Sequence, residues 1–307
     1  LEVDNARIRA VFSEDGRGGL VSLVDRKTGR ELIAPQKKPL LFKVELFDSP
    51  ATDAKPIALT NWDAEAVRFE ATEAASGDAQ QIVFTNLGGR KIDVRCVFAA
   101  AADDPLLRCR LEATMPEPMV LEKVQFPIVT LPCAGSDKPN DAVVLGSTKG
   151  GLRRPSAMTE GQEIAASQAG SLAAQFGCWY DAQVGLFTAA FDPRGYHKTI
   201  AFRRDNEGLA ASWTLFGYDQ RKYKQDFDVV LSTFHGVDAA TPPDWRDAAD
   251  LYKQWAVKQH WCKRTFAARE DVPAWLKQGP AMVRFTRNWL ADPSSVRSWM
   301  QDYWKRY

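Results

Sequence analysis

The sequence predicts a mainly β protein, a large antiparallel double sheet followed by a helix and the opening unit of a β/α domain. Three observations predict it. Apolar residues alternate with a period of two, broken by turn residues, as far as about Gly236. One stretch of helical spacing follows between Thr241 and Trp261. The chain then reads as strand, loop and helix to Tyr307, which is the repeating half of a β/α unit.

The β region opens with two strands in "VDNARIRAVFSEDGRGGLVSLVDRKTGREL", around a glycine-rich turn at Gly16 to Gly19, and turns again at Lys27-Thr28-Gly29. "LLFKVELFD", "EAVRFEATEA", "QQIVFTN" and "KIDVRCVFAA" read as further strands, followed by "LLRCRLEATM", "LEKVQFPIVTL" and "DAVVLGS". A polar stretch rich in Gly, Ser and Ala runs from Lys149 to Gly170. "SLAAQFGCWYDAQVGLFTAAFD", "KTIAFRR", "LAASWTLFG" and "FDVVLSTFHG" complete the series. So many strands with short connections exceed one small sandwich and call for a large antiparallel double sheet.

One hairpin can be read in register. In "KIDVRCVFAA" the residues Ile92, Val94, Cys96 and Phe98 share a face, and in "LLRCRLEATM" so do Leu107, Cys109, Leu111 and Ala113. Pairing around a turn at Ala101 to Asp104 sets Phe98 opposite Leu107 and Cys96 opposite Cys109. Directly opposed Cβ atoms lie about 4.5–5.5 Å apart, longer than the roughly 3.8 Å usual in a disulfide, so two buried free thiols are expected. A slip of two residues keeps the inward faces and separates the sulfurs.

In "TPPDWRDAADLYKQWAVKQHW", Thr241 is the expected N-cap, Pro242 the first helical residue, and Asp244 lies near the positive end of the dipole. Trp245, Ala248, Ala249, Tyr252, Trp255 and Ala256 recur on one face. The helix is expected to lie on the sheets through Trp245, Tyr252 and Trp255, with Trp255→Ala costing about 3–5 kcal/mol. From about Val272, "AMVRFTR" and the helical ending from Asp292 read as the first unit of a (β/α)8 barrel, a fold that needs roughly 200 residues or more. Met282, Val283, Phe285, Trp289, Trp299 and Trp304 would pack within such a barrel. Without it they are expected to dock on the sheets, to self-associate or to be mobile.

Composition narrows the function classes. Of 307 residues, 45% are hydrophobic and 26% charged, with 40 basic against 39 acidic side chains and a formal charge of +1. That balance creates no field to attract polyphosphate, so nucleic acid is not an expected partner. No run of about 18 apolar residues could span a bilayer as a helix. The chain opens at Leu1 with neither methionine nor an apolar leader, which leaves open whether a signal peptide was removed or never existed. The five cysteines have no CxxC spacing and none is directly adjacent to a histidine, so neither a metal site nor a dense disulfide framework is expected. "GRGG", "NLGG" and "TKGG" are glycine turns without the helix that a phosphate loop requires, and no HExxH or GxSxG occurs. No cofactor is expected.

Three stretches, "GGLVSLVDRKTGREL" (18–32), "YDAQVGLFTAAFDPRGYHK" (180–198) and "DWRDAADLYKQWAVKQHW" (244–261), carry a resemblance. The order of elements resembles glycoside hydrolases in which a galactose-mutarotase-like β-supersandwich precedes a linker helix and a (β/α)8 barrel. It is most similar to an uncharacterised glycoside-hydrolase-like family whose barrels are similar to endo-α-N-acetylgalactosaminidases. The resemblance implies a β-supersandwich over 1–240, a linker over 241–271, and the start of an incomplete barrel over 272–307. It implies carbohydrate and the rest of the barrel as partners, and an extracytoplasmic location, periplasmic or secreted. In such families the catalytic carboxylates sit at barrel strand ends, and the supersandwich supports the barrel or adds a loop to the rim of its cleft. No catalytic residue is therefore carried onto this chain.

Within the β region, Asp181 and Asp192 flank a predicted strand pair, but Asp192-Pro193-Arg194-Gly195 has the chemistry of an ordinary turn. Trp179, Tyr180, Tyr196 and His197 are the candidate carbohydrate contacts, because flat rings suit the apolar face of a sugar and a histidine can bond its hydroxyls. The competing reading makes Trp179 core and packs Tyr196 on a neighbouring loop. Two other functions remain open: a stand-alone carbohydrate-binding module, and an aldose 1-epimerase, for which His197, His235 and His260 are the available histidines.

Overall fold

A computed structural model of the chain describes residues 1–49, 55–74, 77–133, 141–147, 151–238 and 240–278. Strands in three antiparallel sheets hold about half of them. The largest has ten strands, running from Leu152–Arg153 and Ala142–Ser147 through Leu172–Tyr180, Gly185–Phe191, Asp228–Phe234, Leu107–Thr114 and Asp93–Ala99 to Gly77–Thr85 and Ala66–Ala74, with Lys222–Lys224 pairing on Leu107–Thr114. Six strands form the second, in the order Glu163–Gln168, Lys198–Arg204, Leu209–Gln220, Val120–Leu131, Lys43–Phe47 and Pro56–Thr60. Glu2–Asp4, Ile8–Phe12 and Leu20–Asp25 form the third. The predicted mainly β class is thus the observed one. The strand Glu163–Gln168 lies in the stretch read as a polar connection. It is an edge strand paired only with Lys198–Arg204, and Ala166 alone is buried, so its alternation carries almost no apolar signal.

The main core holds the inward residues of the sheets, among them Phe12, Phe42, Phe84, Phe98, Phe126, Trp179, Phe202 and Trp213. The Trp213 indole N–H donates to Thr188 Oγ1 at 2.9 Å, which satisfies a buried donor between strands of different sheets. "GLFTAAF" is buried at every position. A strand that reads as a continuous apolar run needs cover on both faces. Leu186 and Ala190 enter the main core, while Phe187, Ala189 and Phe191 enter a second core closed by the helix Trp245–Ala256.

That helix begins three residues later than the sequence suggests. Asp244 is its N-cap, accepting from the Arg246 N–H at 2.6 Å, while the Asp247 side chain accepts from the Asp244 N–H at 2.9 Å. Thr241 is instead held in the preceding turn, its N–H donating to Asp238 Oδ1 at 2.8 Å. Pro242 and Pro243 bias the residues before them away from helical geometry, so Asp244 is the first place a cap can form. The buried face is Ala248 and Leu251, with Tyr252 and Trp255 half-buried. Trp245 is 42% exposed, so it contributes less to docking than the spacing implied. The helix ends at Ala256, and His260 lies in a separate 3-10 turn, His260–Cys262.

The Asp93–Ala99 and Leu107–Thr114 strands do form a hairpin with the expected inward faces, but the register is slipped by two. Phe98 faces Cys109 and Cys96 faces Leu111. The slip leaves a longer connection after Ala99, where Asp104 accepts from the Leu106 N–H at 3.0 Å and binds Arg108 at 2.7 Å. Cys96 and Cys109 are buried free thiols, and burial raises both well above the ordinary thiol range. Cys96, Cys109 and Cys178 are expected to react with a thiol reagent only after unfolding, whereas the exposed Cys262 should react in the native protein. Mass mapping of labelled peptides checks this. Native labelling of Cys96 or Cys109 would contradict the hairpin's placement.

The chain divides into two compact units, Leu1–Lys258 and Gln259–Tyr307, so the helix belongs to the β unit. The described part of the second unit holds the 3-10 turns His260–Cys262 and Phe266–Ala268 and the short helix Ala274–Lys277. The predicted strand 281–287, the helix from Asp292, and Met282, Val283, Phe285, Trp289, Trp299 and Trp304 lie outside the described residues. No described helix is long and apolar enough to cross a membrane.

Candidate functional site

The site with the most unusual chemistry is the loop Asp192–His197, which leaves the ten-stranded sheet at Phe191 and enters the six-stranded sheet at Lys198. At its root Lys198 is fully buried and Asp192 is 1% exposed. The Lys198 ammonium donates to Asp192 Oδ2 at 2.6 Å, Gln175 Oε1 at 2.9 Å and the Tyr196 carbonyl at 2.6 Å. All three of its protons therefore have acceptors. Burial pushes the Lys198 ammonium below its ordinary value, and Asp192 opposes that push. Asp192 accepts from the Arg194 and Tyr196 N–H groups at 2.9 and 2.7 Å, and Gln175 donates to the Asp192 carbonyl at 2.9 Å. Gly195, at a φ of 69°, completes a turn that a side chain would strain. The turn expected at Asp192 to Gly195 is present, and it stands on a buried ion pair.

Above this root the side chains are open to solvent. Tyr196 is 43% exposed, and its hydroxyl accepts from the Arg194 guanidinium at 2.6 Å. The same guanidinium pairs with Asp226 at 2.9 Å and lies 5.7 Å from the centre of the Tyr196 ring. His197 is exposed and stacks on Phe216, with ring centroids 4.3 Å apart and planes 7° from parallel. Trp179 and Tyr180 do not join them. As neighbours on one strand they face opposite ways, Trp179 into the main core and Tyr180 into the core under the helix, at 2% and 8% exposure. Of the four residues singled out, the structure keeps Tyr196 and His197 on one exposed loop and buries the other two.

Lys198 was legible but missed. In "KTIAFRR" the period of two puts Lys198 on the face of Ile200 and Phe202, both fully buried, and a lysine there requires a partner. Asp192, six residues earlier, is that partner.

A second concave region, a groove of about 950 Å³, runs along the outer face of the ten-stranded sheet beside the helix. Arg95, Arg108, Arg110, Asp104, Asp228 and Trp255 are among its lining residues. Three of its four carboxylates are engaged: Arg108 binds Asp104 at 2.7 Å and Asp228 at 3.1 Å, Arg110 binds Asp228 at 2.5 Å, and Lys224 binds Glu112 at 3.0 Å, while Asp103 also lines the groove.

The third cluster surrounds Asp25, which is fully buried. It accepts from the Thr233 hydroxyl at 2.6 Å, the Thr28 hydroxyl at 2.6 Å and the Thr28 N–H at 2.8 Å, and lies 3.0 Å from His235 Nε2. Burial raises the Asp25 carboxyl, and the hydrogen bonds from Thr233, Thr28 and His235 together outweigh it, leaving the group below the ordinary carboxylate range. A carboxyl lowered on folding gives stability that is fully present above its unfolded value near 3.9 and is lost as pH falls through that value toward the folded one. Urea midpoints are therefore expected to fall below about pH 4, with a shallower fall in Asp25→Asn. An unchanged pH profile in that variant would remove Asp25 from the acid response.

Residues 223–302 match a domain of unknown function, DUF6259. No curated protein matches. Among solved structures, an α-N-acetylgalactosaminidase, NagBb, from Bifidobacterium bifidum in complex with GalNAc is similar over 83% of this chain and 38% of that one, at 11% identity and a TM-score of 0.59. The galactosidase domain of an α-galactosidase-sucrose kinase, AgaSK, is similar over 76% of this chain and 40% of that one, at 8% identity and a TM-score of 0.53. These neighbours are glycoside hydrolases, and the likeness is one of fold. This chain spans about two fifths of the length of each.

Proposed function

We propose that residues 1–240 are the non-catalytic β-supersandwich of a glycoside hydrolase acting on O-glycosidic bonds, that 241–271 link it onward, and that a (β/α)8 barrel begins at 272. The observation that carries the reading is the fold likeness over 83% of this chain to a glycosidase of which it spans 38%. The state of the carboxylates supports it. Glycoside hydrolysis needs one carboxyl held protonated and a second free to act as base or nucleophile. In the groove, three of the four carboxylates, Asp104, Asp228 and Glu112, are tied to basic side chains. Asp141 is a carboxyl that burial raises, and it is 2% exposed, away from any substrate in solution.

The test compares this chain with a version extended by its natural coding sequence past Tyr307, on p-nitrophenyl α-N-acetylgalactosaminide and α-galactoside. Hydrolysis by the extended protein alone, lost on replacing acidic residues beyond Tyr307, is the expected result. Turnover by the present chain would overturn the non-catalytic assignment. Mutarotation of galactose, measured alongside, would favour an epimerase if it occurred and vanished in His197→Ala.

A further inference from the structure

We propose that the loop Asp192–His197 is a preformed carbohydrate-contact element, with the Tyr196 ring, the Arg194 guanidinium, the Asp226 carboxylate and the His197 imidazole as its contacting groups and the buried Lys198–Asp192 pair as its positioning device. The ligand class, a neutral hexopyranoside, rests on the glycoside-hydrolase reading above. The placement rests on the loop itself.

Taking an ammonium and a carboxylate out of water is costly unless every proton and lone pair finds a partner. Here the pair spends its bonds on the loop: Asp192 accepts from the backbone at Arg194 and Tyr196, and Lys198 donates to the Tyr196 carbonyl. Backbone order is thereby imposed on a connection whose side chains are turned outward, with Arg194 at 63%, Tyr196 at 43% and Asp226 at 45% exposure. Arg194 then fixes the Tyr196 hydroxyl and is itself fixed by Asp226. An aromatic ring held in advance loses little freedom on binding, which is where a weak ligand gains affinity. A ring face suits the C–H face of a pyranose, and a paired guanidinium and carboxylate offer adjacent donors and acceptors to vicinal hydroxyls. Arg194 and Asp226 cancel in charge, so the surface favours a neutral ligand over an anionic one.

The experiment titrates the full chain with methyl α-D-galactopyranoside, methyl α-D-glucopyranoside and methyl α-D-mannopyranoside, followed by amide chemical shifts. Saturable shifts at residues 194–197 and 226 are expected with at least one of the three. Tyr196→Ala and Arg194→Ala should each weaken binding by about tenfold, with an unchanged melting temperature because both side chains are exposed. Asp192→Asn should weaken binding at temperatures where it remains folded, together with faster amide exchange at 194 and 196, a readout that general destabilisation below the transition would not confine to this loop. No saturable shift with any glycoside, or shifts that persist unchanged in Tyr196→Ala, would overturn the proposal. The hydrolysis assay on the extended protein does not depend on these shifts, so the two readings fail separately.

Discussion

Asp192→Ala is expected to destabilise the β unit by about 3–5 kcal/mol, because it strands the Lys198 ammonium in a site with no solvent access. Two effects add in the same direction. The variant removes the counter-charge, and it leaves the Arg194 and Tyr196 N–H groups without their acceptor. Replacing both members, as in Asp192→Leu with Lys198→Met, removes the uncompensated charge and should recover part of the loss, since apolar groups of similar volume often substitute for a buried pair at little cost. The recovery should be incomplete, because the loop amides remain unpaired. Urea unfolding of the single and double variants, read by tryptophan fluorescence, measures the coupling directly. A cost below about 1 kcal/mol for Asp192→Ala would mean that water reaches the pair in solution and that surface-pair energetics apply.

The same residues show how far sequence reading reaches in this protein. Alternation located the strands that have one face in the core, and it missed the short or edge strands Pro56–Thr60, Leu152–Arg153, Glu163–Gln168 and Lys222–Lys224, where there is little to bury. The inward faces of the cysteine hairpin were legible, since a face depends only on parity. Its register was not, because it depends on how many residues the connection takes up, and here that connection includes Asp104 bonded to the Leu106 N–H. The helix face was legible, but its start reads from capping chemistry as Thr241, three residues before the observed Asp244 cap, because that reading leaves out the effect of Pro242 and Pro243 on the residues before them. At the candidate site the aromatic exterior was visible as composition. Parity already separates Trp179 from Tyr180, and only the helix laid over the outer face explains why both are buried. The ion pair beneath the loop needed one more step, that a lysine in phase with Ile200 and Phe202 must point inward and must find an acid.

Trp255→Ala is expected to cost about 3 kcal/mol, whereas Trp245→Ala, on the same helix, should cost less than about 1 kcal/mol. Spacing alone treats the two as equivalent anchors, and the structure does not. The Trp255 ring lies on Phe191 with centroids 4.8 Å apart and planes 3° from parallel, next to Tyr252, which stacks on Phe176 at 5.4 Å. These contacts close the outer side of the strand Gly185–Phe191, which is otherwise an apolar surface open to water. Trp255 is half-buried, so the lower end of the range for removing a large aromatic applies. Trp245 is 42% exposed and has its neighbour Arg246 over its ring at 5.4 Å, a contact within the first turn that does not hold the helix to the sheet. The Trp255 and Phe191 rings should show a coupling of about 0.5–1.5 kcal/mol in a double-mutant cycle, beyond what their separate burial accounts for. Equal costs for the two tryptophans in urea denaturation would mean that the helix sits on the sheet by a different face. In that case the covering of "GLFTAAF", and with it the reason that strand can be apolar at every position, would need another source.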